Sequence, residues 1–163
     1  MNASNIFGQA DILVASNDNG NFYVPSFGVN TFEPSFGPPS PLCPGEAYSI
    51  FLSSGSDIEF SYPSSLSDAR LASNTNPTGS VESLIYADEI VKTGISHPII
   101  ITELTGAVKQ GDELVAYANG EVVGATRIMN PDATIAFAAW GSYDKYGVSL
   151  PGYDAGDAIE LRL

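Results

Sequence analysis

The chain of 163 residues holds one cysteine, one histidine and six basic residues, and each scarcity excludes a class of chemistry. With Cys43 alone, no intramolecular disulfide can form and a zinc site built on cysteines is excluded. Cys43 stands between Pro41 and Pro44 and reads as a small, half-buried hydrophobe, with an intermolecular disulfide as the lesser alternative. With His97 alone, a multi-histidine metal centre is excluded. Pro98 forces the His97 backbone extended, so a strand-edge histidine explains it better than a general base. No Gly-x-Ser-x-Gly elbow accompanies it, and Gly106 to Gly111 lacks the Gly-Lys-Ser/Thr ending of a phosphate loop. No run approaches the ~20 apolar residues of a transmembrane helix, so membrane insertion is not expected. Residues Met1 to Ala10 lack the charged and apolar regions of a signal peptide. If the parent protein is exported, its signal lies outside this chain. Met1 is then an added start and the chain a fragment of something larger.

Basic residues are outnumbered by nineteen acidic ones, for a formal charge of −13. That surface repels phosphate backbones, so nucleic acid is not an expected partner. The acids are scattered singly, as on a solvated face. Asp88-Glu89 and Asp112-Glu113 are adjacent, but strand neighbours point to opposite faces, so neither pair is diagnostic of a glycosidase. Only 15% of the residues are charged while 44% are hydrophobic. The polar surface must therefore come from Ser, Asn, Thr, Gly and backbone, as in secreted or surface β-proteins.

What is present is short, alternating and punctuated. Ile12 to Ala15 and Phe22 to Val24 flank Ser16-Asn17-Asp18-Asn19-Gly20-Asn21, where Asn-Gly permits the positive φ of a hairpin. Pro25 to Pro44 holds most of the eleven prolines, with Phe27, Phe32 and Phe36 among glycines. Proline at that density makes a long ordered loop or edge. Ala47 to Leu52 and Ile58 to Tyr62 alternate as strands. Pro63 to Gly79 is rich in Ser, Asn and Thr and marks a boundary, with one helical turn over Ser67 to Ala72 and no other helix expected. Beyond it, strands are expected over Val81 to Ile85, Pro98 to Thr102, Glu113 to Ala118, Glu121 to Ile128, Thr134 to Trp140 and Ala158 to Leu163. Both faces of Leu114 to Tyr117 are apolar, which predicts a central strand. Tyr143 to Ala155 reads as a loop. The fold class is all-β: an antiparallel, sandwich-like architecture of two related β-units packed together. The units span 1–63 and 80–163, with 64–79 connecting them.

The relation between units rests on repetition. Leu13-Val14-Ala15, Asn19-Gly20 and Gly45-Glu46-Ala47-Tyr48-Ser49-Ile50-Phe51-Leu52 recur as Leu114-Val115-Ala116, Asn119-Gly120 and Gly156-Asp157-Ala158-Ile159-Glu160-Leu161-Arg162-Leu163. The offset between copies drifts by about ten residues, as loop insertions between matched strands would produce.

Two groups of residues are candidate sites. Phe27, Phe32 and Phe36, or Tyr143, Tyr146 and Tyr153, offer aromatic faces to a glycan or partner; packing beneath their loops is the competing explanation. Asp144, Asp154 and Asp157 surround the tyrosine-rich segment and are candidate calcium ligands, although Asp157 is equally suited to bonding turn amides. Asn17 to Asn21 has the composition of a calcium loop. Its glycine comes too early and Gly28 replaces the bidentate Glu, which excludes an EF-hand.

Gly111-Asp112-Glu113-Leu114-Val115-Ala116-Tyr117, Gly120-Glu121-Val122-Val123-Gly124-Ala125, Ala139-Trp140-Gly141 and Gly152 to Leu163 resemble a β-module of large surface and secreted proteins of Bacteroidetes-type bacteria, exported by the type IX route. Asn19 to Asn30 and Pro44 to Leu52 resemble the module that usually neighbours it. Two departures stand out: Trp140-Gly141 is followed by Ser142-Tyr143 where the family has two aspartates, and Val122 replaces a frequent cysteine. The resemblance implies an extracellular or cell-surface location, neighbouring domains or chains as partners, and no catalytic residues. A non-catalytic structural or adhesive module is therefore the leading expectation. A carbohydrate-binding accessory module of a secreted enzyme is second, a virion decoration protein also fits an acidic β-rich chain, and a small hydrolase fits least.

Overall fold

The computed structural model describes residues 3–33, 42, 45–55, 57–59 and 84–163. Phe36, Cys43, the end of the strand expected at Ile58 to Tyr62, the turn at Ser67 to Ala72 and the connecting segment lie outside them. The chain is all-β. One short helix, α1 (Ala3–Phe7), precedes β1 (Ile12–Asn17), β2 (Phe22–Val24), β3 (Val29–Asn30) and β4 (Tyr48–Leu52). Then follow β5 (Ser96–Ile101), β6 (Glu113–Ala118), β7 (Glu121–Arg127), β8 (Ile135–Trp140), β9 (Tyr143–Lys145), β10 (Val148–Leu150) and β11 (Ile159–Arg162). The sheets run β3-β2-β1-β4, β11-β6-β7, β5-β8 and β10-β9. All pairs between these strands are antiparallel.

Strand β8 shows how the layers are held. Its alternate residues Ile135, Phe137 and Ala139 pack with Leu114, Ala116, Ala118 and Val123 of β6 and β7. Ala136 and Ala138, on the other face, pack with Phe22, Val24 and Val29 of the first sheet. A strand buried on both sides carries no polar alternation, and Ile-Ala-Phe-Ala-Ala-Trp has none. The small alanines let the first sheet approach closely. The remaining face of that sheet is covered by Ala3, Ile6 and Phe7 of α1 with Phe32 and Leu42. There Phe7 sits 6.3 Å from Phe32 and 5.8 Å from Tyr48, ring centre to ring centre.

Two of the sheets share a pairing pattern. In the first sheet Ala15 pairs with Ile50 and Asn17 with Tyr48. In the β11-β6-β7 sheet Ala116 pairs with Leu161 and Ala118 with Ile159. In each case a hairpin is followed by a strand lying antiparallel to the first hairpin strand. The turns differ. Asn119 and Gly120 both have positive φ, 51° and 87°, the two-residue turn that suits strand twist. In the first hairpin Gly20 has φ 82°, and the Asn17 side-chain oxygen accepts the amides of Asn19 and Asn21.

Several expectations are corrected. A helix does form, over Ala3–Phe7; at five residues it is too short to leave a periodic signature, and tertiary packing holds it. Leu84 and Ile85 are not strand, and a single 3-10 turn follows at Ala87–Glu89. Ile58 and Glu59 are not strand either. Tyr143 to Ala155 is not a plain loop: Tyr143–Lys145 and Val148–Leu150 form a hairpin whose turn residues Tyr146 and Gly147 have φ 56° and 77°. Asn-Gly is the common residue pair for that turn, so Tyr-Gly gives no warning of it.

Candidate functional site

The structure separates the aromatic candidates. Phe32 is 3% exposed and belongs to the aromatic cluster beneath the first sheet, so its face is closed to any ligand. Phe27, five residues earlier, ends the 3-10 turn Pro25–Phe27 and is 57% exposed. The turn is set by Pro25 at its start and by Gly28, whose φ of 64° ends it. Tyr146 projects from the tip of the β9–β10 hairpin and is 95% exposed. Tyr143 begins the same hairpin, half-buried, opposite Leu150. Tyr153 packs its ring against the β6–β8 core, and burial pushes its phenol above the usual tyrosine range. Of the six, Phe27 and Tyr146 present aromatic surface to solvent, and Phe36 lies outside the described residues.

The carboxylate candidates divide likewise. Asp157 Oδ2 accepts the Asp154 amide at 2.8 Å and the Asn119 side-chain amide at 2.8 Å. It thereby ties the turn before β11 to the β6–β7 hairpin tip. Asp154 accepts a short hydrogen bond from the Ser142 hydroxyl. Asp144 lies on β9, exposed, opposite Ser149. The structure thus brings Asp154 and Asp157 into one turn and leaves Asp144 on the hairpin. Among the described residues no group of three or more His, Cys, Asp and Glu is arranged to hold a metal ion. Asp157 has the turn-bonding role that was the alternative to calcium.

The segment between the two tips is built on glycine. At Gly152 the chain crosses the Gly141 backbone so closely that a Cβ would overlap the Gly141 carbonyl and the Ser142 amide. That approach lets Ser142 donate its amide to Tyr153 O at 2.8 Å, and Tyr153 donate to Trp140 O at 3.1 Å. Gly141 itself donates to Ile95 O at 2.8 Å and accepts the Thr93 hydroxyl at 2.6 Å. Gly124 plays the same part between layers, since a Cβ there would overlap the Ala138 carbonyl. The Trp-Gly, Gly-Tyr and Val-Gly-Ala motifs therefore hold backbones together.

His97 is exposed on β5 opposite Ala139. Asp112 accepts the Lys109 amide, and Glu113 accepts the Ile85 amide at 3.1 Å. A cleft of about 350 Å³ opens between the Asn19-Gly20 tip, Leu84, Lys92 and Trp140, and Lys92 is the one charged side chain among its described lining.

Sequence reasoning missed one feature of the outer face of the β11-β6-β7 sheet. Tyr86 meets the Tyr117 ring edge-on at 6.4 Å, and the Arg162 guanidinium lies 4.7 Å from the Tyr117 ring centre. The hydrogen bond that the Tyr117 phenol donates to Tyr86 is the main cause holding it above its usual range. A signal existed in the alternation of Glu160, opposite Tyr117, and Arg162, opposite Val115, which places Tyr117, Glu160 and Arg162 on one face.

Comparison with known family models, curated proteins and solved structures gives no match.

Proposed function

We propose that the chain is a non-catalytic, extracellular β-module, structural or adhesive, from a larger bacterial surface or secreted protein. The observation that carries this reading is Tyr146. A bulky aromatic residue occupies a left-handed turn position, φ 56°, where Asn or Gly is relaxed, and its ring is 95% exposed. Placement of that kind accepts local strain in return for an exposed contact group. The resemblance of residues 111–163 to bacterial surface modules points the same way. So does the architectural use of the motif residues Gly124, Gly141, Gly152 and Asp157. In this reading the hairpin tip and Phe27 are the contact surface, and neighbouring domains or chains are the partners.

The test is adhesion of protein-coated beads to a panel of immobilised proteins and polysaccharides. Retention on at least one surface, abolished by Tyr146→Ser, is expected. Turnover of chromogenic ester, glycoside or peptide substrates that disappears in His97→Ala would overturn the non-catalytic reading. Exposure of Tyr146 also favours a second reading, a carbohydrate-binding accessory module, because an open phenol ring stacks on a sugar face. A glycan array distinguishes the two: retention by polysaccharides alone selects the carbohydrate reading.

A further inference from the structure

Among the described residues, strand β11 forms one edge of the β11-β6-β7 sheet. An edge strand directs about half of its backbone amides and carbonyls away from the sheet, and proteins usually cover or blunt such a row. Here Ile159, Glu160, Leu161 and Arg162 are all exposed. Ile159 is 37%, Leu161 42% and the adjoining Leu163 64% exposed. The cross-strand partners of Ile159 and Leu161 are Ala118 and Ala116, which belong to the core cluster. These apolar side chains therefore extend the core-facing side of the sheet past its edge into water.

The first sheet offers a comparison within the same molecule. By register, Tyr48 and Ile50 of β4 occupy the positions that Ile159 and Leu161 occupy in β11. Both are half-buried and pack on the cluster that contains α1, Phe32 and Leu42. Among the described residues nothing covers the equivalent strand in the second sheet, whose side chains are open to solvent.

The sequence of β11 identifies what fits. Pair the strand with a second copy of itself, antiparallel, about a two-fold axis through Leu161. Leu161 then faces its counterpart, Ile159 faces Leu163 of the other copy, and Glu160 faces Arg162 of the other copy. Every apolar residue meets an apolar residue on one side of the joined sheet. Each acid meets a base on the other. Shifting the register by one residue places charged groups opposite apolar ones, and a shift of two breaks at least one charge pair. Arg162 is already held over the Tyr117 ring and bonded to Glu160 at 2.7 Å, with donors to spare for a second carboxylate.

We infer that β11 is a homodimerisation edge: two copies of this chain join β11 to β11 antiparallel, in the register Glu160 to Arg162, into one continuous six-stranded sheet. The inference stands on strand pattern and exposure alone and does not rest on the adhesive reading. The contact is isologous, as a two-fold requires. The charge of −13 on each copy opposes it, so the dimer is weak, with a Kd on the order of 1–100 µM.

Sedimentation equilibrium on the full chain up to about 500 µM tests it, with two charge variants that leave the strand exposed and its β-pattern intact. The wild type is expected to dimerise. Glu160→Arg sets guanidiniums against each other twice per dimer and should raise Kd by about tenfold or more. The double variant Glu160→Arg, Arg162→Glu reverses both charges and should return Kd to within about threefold of wild type. Hydrogen exchange should slow at the amides of 159–163 as concentration rises. A chain that stays monomeric up to that concentration would overturn the inference. A dimer indifferent to Glu160→Arg, or one whose concentration-dependent protection falls outside β11, would overturn it equally.

Discussion

At the scale of single residues, the glycines of the motif segments and one tyrosine carry consequences that can be measured. Gly152 lies against the Gly141 carbonyl and the Ser142 amide, both backbone groups that cannot swing aside. Gly152→Ala is therefore expected to destabilise the fold by about 3 kcal/mol or more, because the Tyr153 hydrogen bonds to Trp140 and Ser142 must open to admit a methyl group. Gly28→Ala makes the useful contrast. Nothing lies within 4 Å of a Cβ there, so only the φ of 64° resists it, and about 1 kcal/mol is expected. Urea unfolding of the two variants measures the difference. Tyr153 gives a pH-dependent readout. Burial raises its folded-state pKa, so the folded chain favours the neutral phenol. The associated stability is complete below the unfolded value near 10 and is lost as pH rises through the folded value. Tyr153→Phe keeps the ring and removes the ionisation. Its stability should fall less steeply than that of wild type above about pH 10, in urea titrations run side by side.

At the scale of elements, the β9–β10 hairpin separates what was legible from what was not. The β6–β7 hairpin was readable because Asn119-Gly120 is the residue pair that relaxes at two successive positive φ angles. The β9–β10 hairpin uses the same turn geometry with Tyr146-Gly147, which turn chemistry alone does not anticipate. Tyr146→Asn is therefore expected to stabilise the protein by roughly 0.5–1 kcal/mol, seen as a raised urea midpoint, since asparagine tolerates left-handed φ better. The same substitution removes the exposed ring and should reduce bead adhesion. A gain of stability joined to a loss of binding is what a residue kept for contact would give. The centrality of β6 was readable from apolar residues on both its faces, and it does lie between β11 and β7. By contrast, α1 owes its formation to the packing of Ala3, Ile6 and Phe7 on the first sheet, which no local pattern encodes. Phe27 and Phe32 were indistinguishable in sequence. Their opposite exposures arise because Phe27 ends a surface turn while Phe32 follows β3 into the aromatic cluster.

At the scale of the whole molecule, the join between the two sequence halves decides how the chain unfolds. Phe22, among the largest fully buried side chains, packs with Val24 and Val29 of the first half and with Ala136 of the second. Close by, the ring of Trp140 lies where a Cβ on Gly20 would stand, so the first hairpin tip rests on a β8 side chain. Sheets that share a core layer in this way lose it together. Trp140 is the only tryptophan, so its fluorescence reports on unfolding of the second half and on the contact with the first hairpin tip. Phe22→Ala removes a ring from the first half and opens a cavity at the join, at an expected cost of about 3–5 kcal/mol. If the halves form one cooperative unit, that change lowers the midpoint of the Trp140 transition by the full amount and keeps it coincident with loss of far-ultraviolet circular dichroism. A Trp140 midpoint that stays at the wild-type value while part of the circular dichroism is lost early would mean independent halves, with Phe22 contributing to the first alone.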